Sequence, residues 1–160
     1  MKGLRALIAA LCVLVVVSVP RAEASSFGWA GVVIVHGDGS VKVDCVALDR
    51  REMTGFRLLR ISRFPVRYAN FSGYGPGICW IDGEGVKTTA PSDCYSDPSG
   101  KFWDYFTQDR GETSPTESAT GSIQRKVHRG DIDYWKWNAS TFPNPEPPPD
   151  ALTMKQICHR

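Results

Sequence analysis

An α+β domain, with one short amphipathic helix laid across a mixed sheet, follows from how the hydrophobic period changes along this 160-residue sequence. A continuous apolar run and an alternating run flank an early turn, a helical period comes next, and several strand-like runs separated by glycine-rich turns complete the chain. Four cysteines in the body of the chain add the expectation of two crosslinks.

The first segment stands outside that fold. Lys2 and Arg5 precede an apolar stretch from Ala6 to Val19, broken only by Ser18, and Ala22-Glu23-Ala24 offers small residues at the two positions a signal peptidase reads. This is the pattern of a cleaved secretory signal over residues 1–24. An uncleaved anchor fits less well because the run is short for a membrane span. A lipid-modified Cys12 fits less well because the apolar run continues past it. The expected location is secreted or at the extracytoplasmic cell surface. The leader holds Lys2, Arg5, Arg21 and Glu23, so its removal takes the formal charge from +2 to zero. The global basic excess that would argue for nucleic acid goes with it.

Residues 25–138 form the expected domain. Ala30 to Val35 reads as a buried strand, Gly37-Asp38-Gly39 as a turn, and Val41, Val43 and Cys45 alternate with Lys42 and Asp44, making a β-hairpin. Thr54 is a candidate N-cap for a helix over Gly55 to Arg63. At 100° per residue Leu58, Leu59 and Ile61 share one side, while Arg57, Arg60 and Arg63 share the other as a solvated face. Pro65 ends it. Val66 to Phe71 and Ile78 to Ile81 are strands joined through Gly73-Tyr-Gly-Pro-Gly77. Lys101 to Thr107 is a further strand, and the polar stretch 108–122 reads as a mobile loop. Gln124 to His128 and Ile132 to Trp137 flank Arg129-Gly130-Asp131 as a second hairpin. Residues 139–160 form a proline-rich extension anchored by Cys158. Thr141 to Asp150 contains five prolines and is expected to run extended over the surface.

Removing the leader also removes Cys12 and leaves Cys45, Cys79, Cys94 and Cys158, an even set suited to an oxidising compartment. No C-x-x-C or H-x-x-x-H spacing supports a zinc site. Of the three pairings available, Cys79 with Cys94 would pin the loop after a strand, and Cys45 with Cys158 would clip the extension back onto the opening hairpin.

Four segments occur in an order that resembles the transcobalamin and intrinsic-factor C-terminal domain, a β-grasp module also found in small exported bacterial proteins. They are Thr54-Gly-Phe-Arg-Leu-Leu59, Gly77-Ile-Cys-Trp-Ile-Asp-Gly83, Phe102-Trp-Asp-Tyr-Phe106 and Arg129-Gly-Asp-Ile-Asp-Tyr-Trp135. Trp103 and Tyr105 match that family's aromatic strand, with Phe102 in place of its first tyrosine. Gly130, Asp131, Ile132 and Trp135 match its last strand motif. Ile157-Cys158 resembles the ending of the small bacterial members. The resemblance covers about residues 30–138 and implies a β-grasp-like mixed sheet. It also implies binding of a small, cobalamin-like ligand or a membrane transporter component in vitamin uptake. The helical barrel that supplies most cobalamin contacts in the vertebrate carriers has no counterpart here, and the resemblance carries over no catalytic residue.

The candidate ligand-binding residues are Trp80, Trp103, Tyr105, Trp135 and Trp137. Alternation puts Trp103 with Tyr105, and Trp135 with Trp137, on shared faces. One sheet face must be core, and large rings on the other would mark a contact surface. No catalytic, metal or cofactor site is expected. His36, His128 and His159 are scattered without a nucleophile at telling spacing, and neither a G-x-S-x-G elbow nor a phosphate loop occurs. Asp82, Glu84, Asp131 and Asp133 read as turn acids, with a weak calcium site as the alternative. Arg129-Gly130-Asp131 also spells an adhesion tripeptide, which a turn explains. The function expected is an exported, non-enzymatic binding domain. The alternative is a structural or adhesive surface protein whose aromatic face docks another protein.

Overall fold

The apolar run at the start becomes β1 (Trp29–Val35), and it folds back through His36–Ser40 onto β2 (Val41–Ala47). A computed structural model describes residues 27–138, 148 and 150–159. The leader 1–24 and most of the proline-rich stretch lie outside those residues. In the turn, Asp38 Oδ1 accepts the Ser40 N–H at 2.8 Å. A two-residue strand β3 (Met53–Thr54) then leads into helix α1 (Gly55–Ile61), whose first turn is capped by Thr54 Oγ1 accepting the Arg57 N–H. The helix ends two residues earlier than its sequence period suggests, where the Ser62 N–H turns back to the carbonyls of Leu58 and Leu59. Only Gly55, Leu58 and Leu59 are buried. Ile61, expected on the apolar side, is exposed because the helix stops there.

Three strands follow as a separate small sheet: β4 (Val66–Phe71), β5 (Gly75–Ile81) and β6 (Glu84–Gly85). The main sheet is completed by β7 (Phe102–Gln108), the two-residue β8 (Thr116–Glu117) and β10 (Ile132–Asn138), with β9 (Lys126–Val127) lying apart against β3. Its order is β2-β1-β10-β7-β8. β1 and β10 run parallel in register Gly31↔Ile132 through Val35↔Lys136, and β7 pairs antiparallel with β10. A hairpin, a helix and a last strand returning parallel beside the first make this a mixed, β-grasp-like α+β sheet.

The expected second hairpin does not form. β10 has both edges occupied by β1 and β7, so residues 126–127 pair instead with Met53–Thr54. Gly130 turns the chain, its N–H reaching the Trp29 carbonyl. The polar stretch after β7 is not featureless either, since β8 extends the sheet within it.

A parallel pair at the centre of a sheet has to be covered on both faces. On one face Val32, Ile34, Trp135 and Trp137 pack with Leu58 and Leu59 of α1. On the other, Val33, Val35, Ile132 and Tyr134 pack with Ile157 of α2 (Met154–Cys158). That second contact is close: a Cβ at Gly31 would lie 2.8 Å from Ile157 Cδ1. The Tyr134 hydroxyl donates to Gln108 Oε1 at 2.7 Å and accepts the Leu152 N–H at 2.9 Å. Thr153 and Gln156 form a capping box at the start of α2.

Both expected disulfides are present, Cys45–Cys158 and Cys79–Cys94. The first joins α2 to β2 across a sequence separation of 113, and the second closes a loop of separation 15. Loop-closure entropy assigns about 4.7 kcal/mol to a loop of the first size and about 3 kcal/mol to the second. Urea unfolding should therefore show a larger loss for the C45S/C158S pair of substitutions than for C79S/C94S. A larger loss for C79S/C94S would contradict this account of the second face.

Candidate functional site

Register decides what the aromatic residues do. Trp103 lies opposite Trp137, and Tyr105 opposite Trp135, so all four rings stand on the α1 face of the sheet. They pack as cross-strand pairs, Trp103–Trp137 with centroids 5.4 Å apart and Tyr105–Trp135 at 4.5 Å. Such pairs stabilise a sheet beyond the area they bury. Trp103, Trp135 and Trp137 are buried in the core cluster. Trp80, on β5, is half-buried with Lys87 Nζ 5.2 Å from its ring centre. The five residues therefore do not make an open shelf, because α1 and the small sheet cover most of that face.

One margin of the ladder stays accessible. A groove of about 320 Å³ runs between Pro76–Ile78 of β5 and residues 117–122, with Trp103, Tyr105, Trp135 and Tyr95 along it. A second hollow of about 260 Å³, bounded by Phe71 and Tyr74, shares Pro76, Gly77 and Tyr95 with the first. Tyr95 stacks on Phe71 at 5.3 Å and meets Phe102 edge-on at 6.3 Å. A Cβ at Gly77 would lie 2.7 Å from the Phe71 ring, so the bare backbone there lets both rings lie across it. Tyr74 is 86% exposed at the tip of the β4–β5 hairpin. The indole nitrogens of Trp103 and Trp135 are buried without a hydrogen-bond partner.

Beneath the groove lies a buried ionic cluster. The Tyr105 hydroxyl donates to Asp133 Oδ2 at 2.6 Å, and Arg125 Nε stands 3.7 Å from the other Asp133 oxygen. Arg125 also pairs with Asp131 at 3.2 Å and Asp109 at 2.5 Å. Asp131 further accepts the backbone N–H groups of Arg110 and His128. Asp131 is thus a turn residue as expected, but Asp133 is not. It sits within β10, fully buried, where burial pushes its carboxyl up to about 7 against the opposing pull of Tyr105 and Arg125. The same surroundings raise the Tyr105 phenol, desolvation foremost. A Cβ on Gly55 would stand 2.5 Å from Asp133 Oδ2, so α1 can begin against this pair only with a residue that has no side chain.

A second cluster joins two turns. His36 Nδ1 lies 2.9 Å from Glu84 Oε2, which also accepts the Gly37 N–H, and His36 Nε2 lies 3.7 Å from Asp82. The Lys42 ammonium already occupies Asp82 at 2.7 Å. Among the described residues no group of three or more His, Cys, Asp or Glu converges as a metal site would require. Arg57 and Arg60 of α1, and Arg63 just beyond it, are placed rather than free. Arg57 pairs with Asp49, Arg60 lies over the Phe56 and Tyr68 rings, and Arg63 reaches the Val43 carbonyl.

Sequence reading singled out Trp103, Tyr105 and Trp135, which the fold brings together at the groove, and Trp80 and Trp137, which it places elsewhere. It passed over Phe71, Tyr74 and Tyr95. The glycine-rich run 73–77 was their one local signal, since a backbone stripped of side chains invites rings to lie across it.

No family model matches the sequence, and no curated protein matches it. A crystal structure from Ruminococcus gnavus, described as that of a "putative metal binding protein", superposes with a TM-score of 0.50 at 18% identity, covering 71% of this chain and 98% of the other. At that identity the likeness is one of fold. The two disulfides suit an oxidising, extracytoplasmic compartment, and among the described residues no helix is long and apolar enough to cross a membrane.

The buried carboxyl predicts a pH dependence. An unfolded aspartate titrates near 3.8, whereas Asp133 in the fold titrates at about 7, so between those values the folded chain holds the extra proton. Stability is then greatest at the acid end of this window and declines toward neutrality, by at most about 1.4 kcal/mol per pH unit for one group, with no further loss above it. Asp104, pushed up to about 6 by burial, acts with the same sign. Urea unfolding between about pH 4 and 8 should show this decline, and Asp133→Asn, which keeps an acceptor for Tyr105, should flatten most of it. Parallel slopes for both proteins would contradict the assignment.

Proposed function

We propose that this chain is an exported, non-enzymatic binding domain of the transcobalamin-like β-grasp type, and that its groove takes a small ligand bearing a flat ring. The observation that carries the reading is the shape and lining of that groove. A wall of Tyr95 stands beside Tyr105 and Trp135, and the buried Trp135 indole N–H lacks a partner that a ligand acceptor could supply. The rings face Asp104, Glu117, Ser118, Thr120 and Ser122 across the same groove, and a concave site that joins aromatic walls to placed polar groups suits a small polar molecule with a flat ring. The leader sequence and the two crosslinks support a place outside the cytoplasm. A cobalamin-like vitamin is the first candidate on the strength of the sequence resemblance, and a membrane uptake component is the partner that would receive it. The metal-binding description of the Ruminococcus gnavus protein offers a second ligand class, but His36, Asp82 and Glu84 are already engaged with one another and with Lys42, which leaves the groove as the better site.

Thermal denaturation of the oxidised protein against a panel of corrinoids, flavins, pterins and divalent metals tests the reading. A ring-bearing ligand at about 100-fold over its dissociation constant adds about 2.7 kcal/mol and should raise the melting temperature visibly. Tyr95→Ala should weaken that binding about tenfold or more, as loss of a stacking partner does. Tyr95 is half exposed, so the substitution spares the fold. A shift with metals alone, or undiminished ring binding by the Tyr95→Ala protein, would overturn it.

A further inference from the structure

On the side of the domain away from the aromatic groove, the turn between β9 and β10 is flanked by two arginines without acidic partners. Arg110 and Arg129 make no ion pair among the described residues. The acids nearest them are committed elsewhere. Asp131 accepts from the backbone of Arg110 and His128 and pairs with the Arg125 guanidinium. Asp109 pairs with Arg125, and Glu112 accepts the Asp109 N–H at 2.7 Å.

Both arginines are exposed, but their stems are packed. A Cβ at Gly28 would lie 2.5 Å from Arg129 Cγ, and one at Gly130 would lie 3.0 Å from Arg110 Cδ. Both glycines have left-handed backbone, with φ of 114° and 93°, so other residues are disfavoured at each position. The two aliphatic stems are therefore seated on bare backbone, which restricts them and lowers the entropy lost when the side chains engage a ligand.

The surface they border is concave. A cleft of about 390 Å³ is lined by Arg110, Arg129 and Thr153 together with the acids Asp109 and Glu112, and it shares Arg129, Gly130 and Met154 with a neighbouring cleft of about 220 Å³ that reaches Trp29, Lys155 and Cys158. Lys155, too, has no ion-pair partner among the described residues. Asp109 is neutralised by Arg125, so two guanidiniums and an ammonium face one remaining carboxylate, Glu112, around the two clefts. That cationic excess suits a molecule with an oxyanion head, because planar guanidinium donors bind carboxylate and phosphate oxygens in pairs.

We infer that Arg110 and Arg129 form a second binding site, distinct from the aromatic groove, for the oxyanion group of a small ligand, a phosphate or a carboxylate. Pyrophosphate and citrate are the probes, titrated by calorimetry into the oxidised protein at fixed ionic strength. Saturable binding of either is expected. Pyrophosphate preferred over citrate assigns a phosphate, and the reverse order a carboxylate. Arg110→Gln and Arg129→Gln should each weaken it about tenfold or more, the usual cost of losing a charge-assisted hydrogen bond. Arg67→Gln, which removes an exposed charge from β4, should leave it unchanged. Circular dichroism verifies that each variant folds. The proposal fails if neither probe saturates, if the two site variants bind like the parent, or if Arg67→Gln weakens binding equally, which would mean attraction by overall charge alone.

Discussion

The parallel pairing of β1 with β10 governs this molecule. Two adjacent central strands, hydrogen-bonded along both edges, can meet water on neither face. The sequence accordingly supplies two covers. The first is local: α1 follows the opening hairpin directly and lays Leu58 and Leu59 over Val32 and Ile34. The second comes from the far end of the chain, where Ile157 seats against Gly31 and the Tyr134 hydroxyl grips the backbone at Leu152. A helix of five residues would not hold that position by itself. Its covalent bond to β2 through Cys45–Cys158 makes the cover permanent.

The candidate sites are by-products of how those covers are fitted. A helix of seven residues is too short to span the aromatic ladder, so the small sheet β4–β6 takes over, and the seam between that sheet and the ladder is the groove. The same economy explains the buried charges. Asp133 occupies a strand position that α1 must approach closely, so Gly55, Tyr105 and Arg125 are arranged around it. Packing and ionic order are thus one arrangement here, in which groove lining and helix seat share Tyr105.

Much of the fold was legible in the residues, and the reasons differ by element. The opening hairpin and the Thr54 cap are local signals, written within a few residues. The crosslinks followed from parity and from what each pairing would restrain. What alternation could not say was whether the face carrying Trp103, Tyr105, Trp135 and Trp137 would be covered, since that depends on a helix and a sheet elsewhere in sequence. Residues 124–128 and 132–137 look like a hairpin because neighbours in sequence usually pair. They do not, because β10 was claimed on both sides by strands that no local pattern names. Asp133 looked like a turn acid for the same reason. Tyr74 and Tyr95 lie in segments with no period at all, and only the fold reveals them as a wall.

The register Gly31↔Ile132 joins residues about a hundred positions apart, and Cys45 finds its partner later still. A chain made from its amino end therefore carries Val32 and Ile34 as half of an unfinished sheet through most of its elongation. Nothing emitted early can complete them. Non-local pairing of this kind slows folding and leaves an apolar strand edge open meanwhile. Maturation becomes a matter of timing, in which the last strand to arrive closes the first one made and thiol oxidation then ties α2 to β2 over that closure.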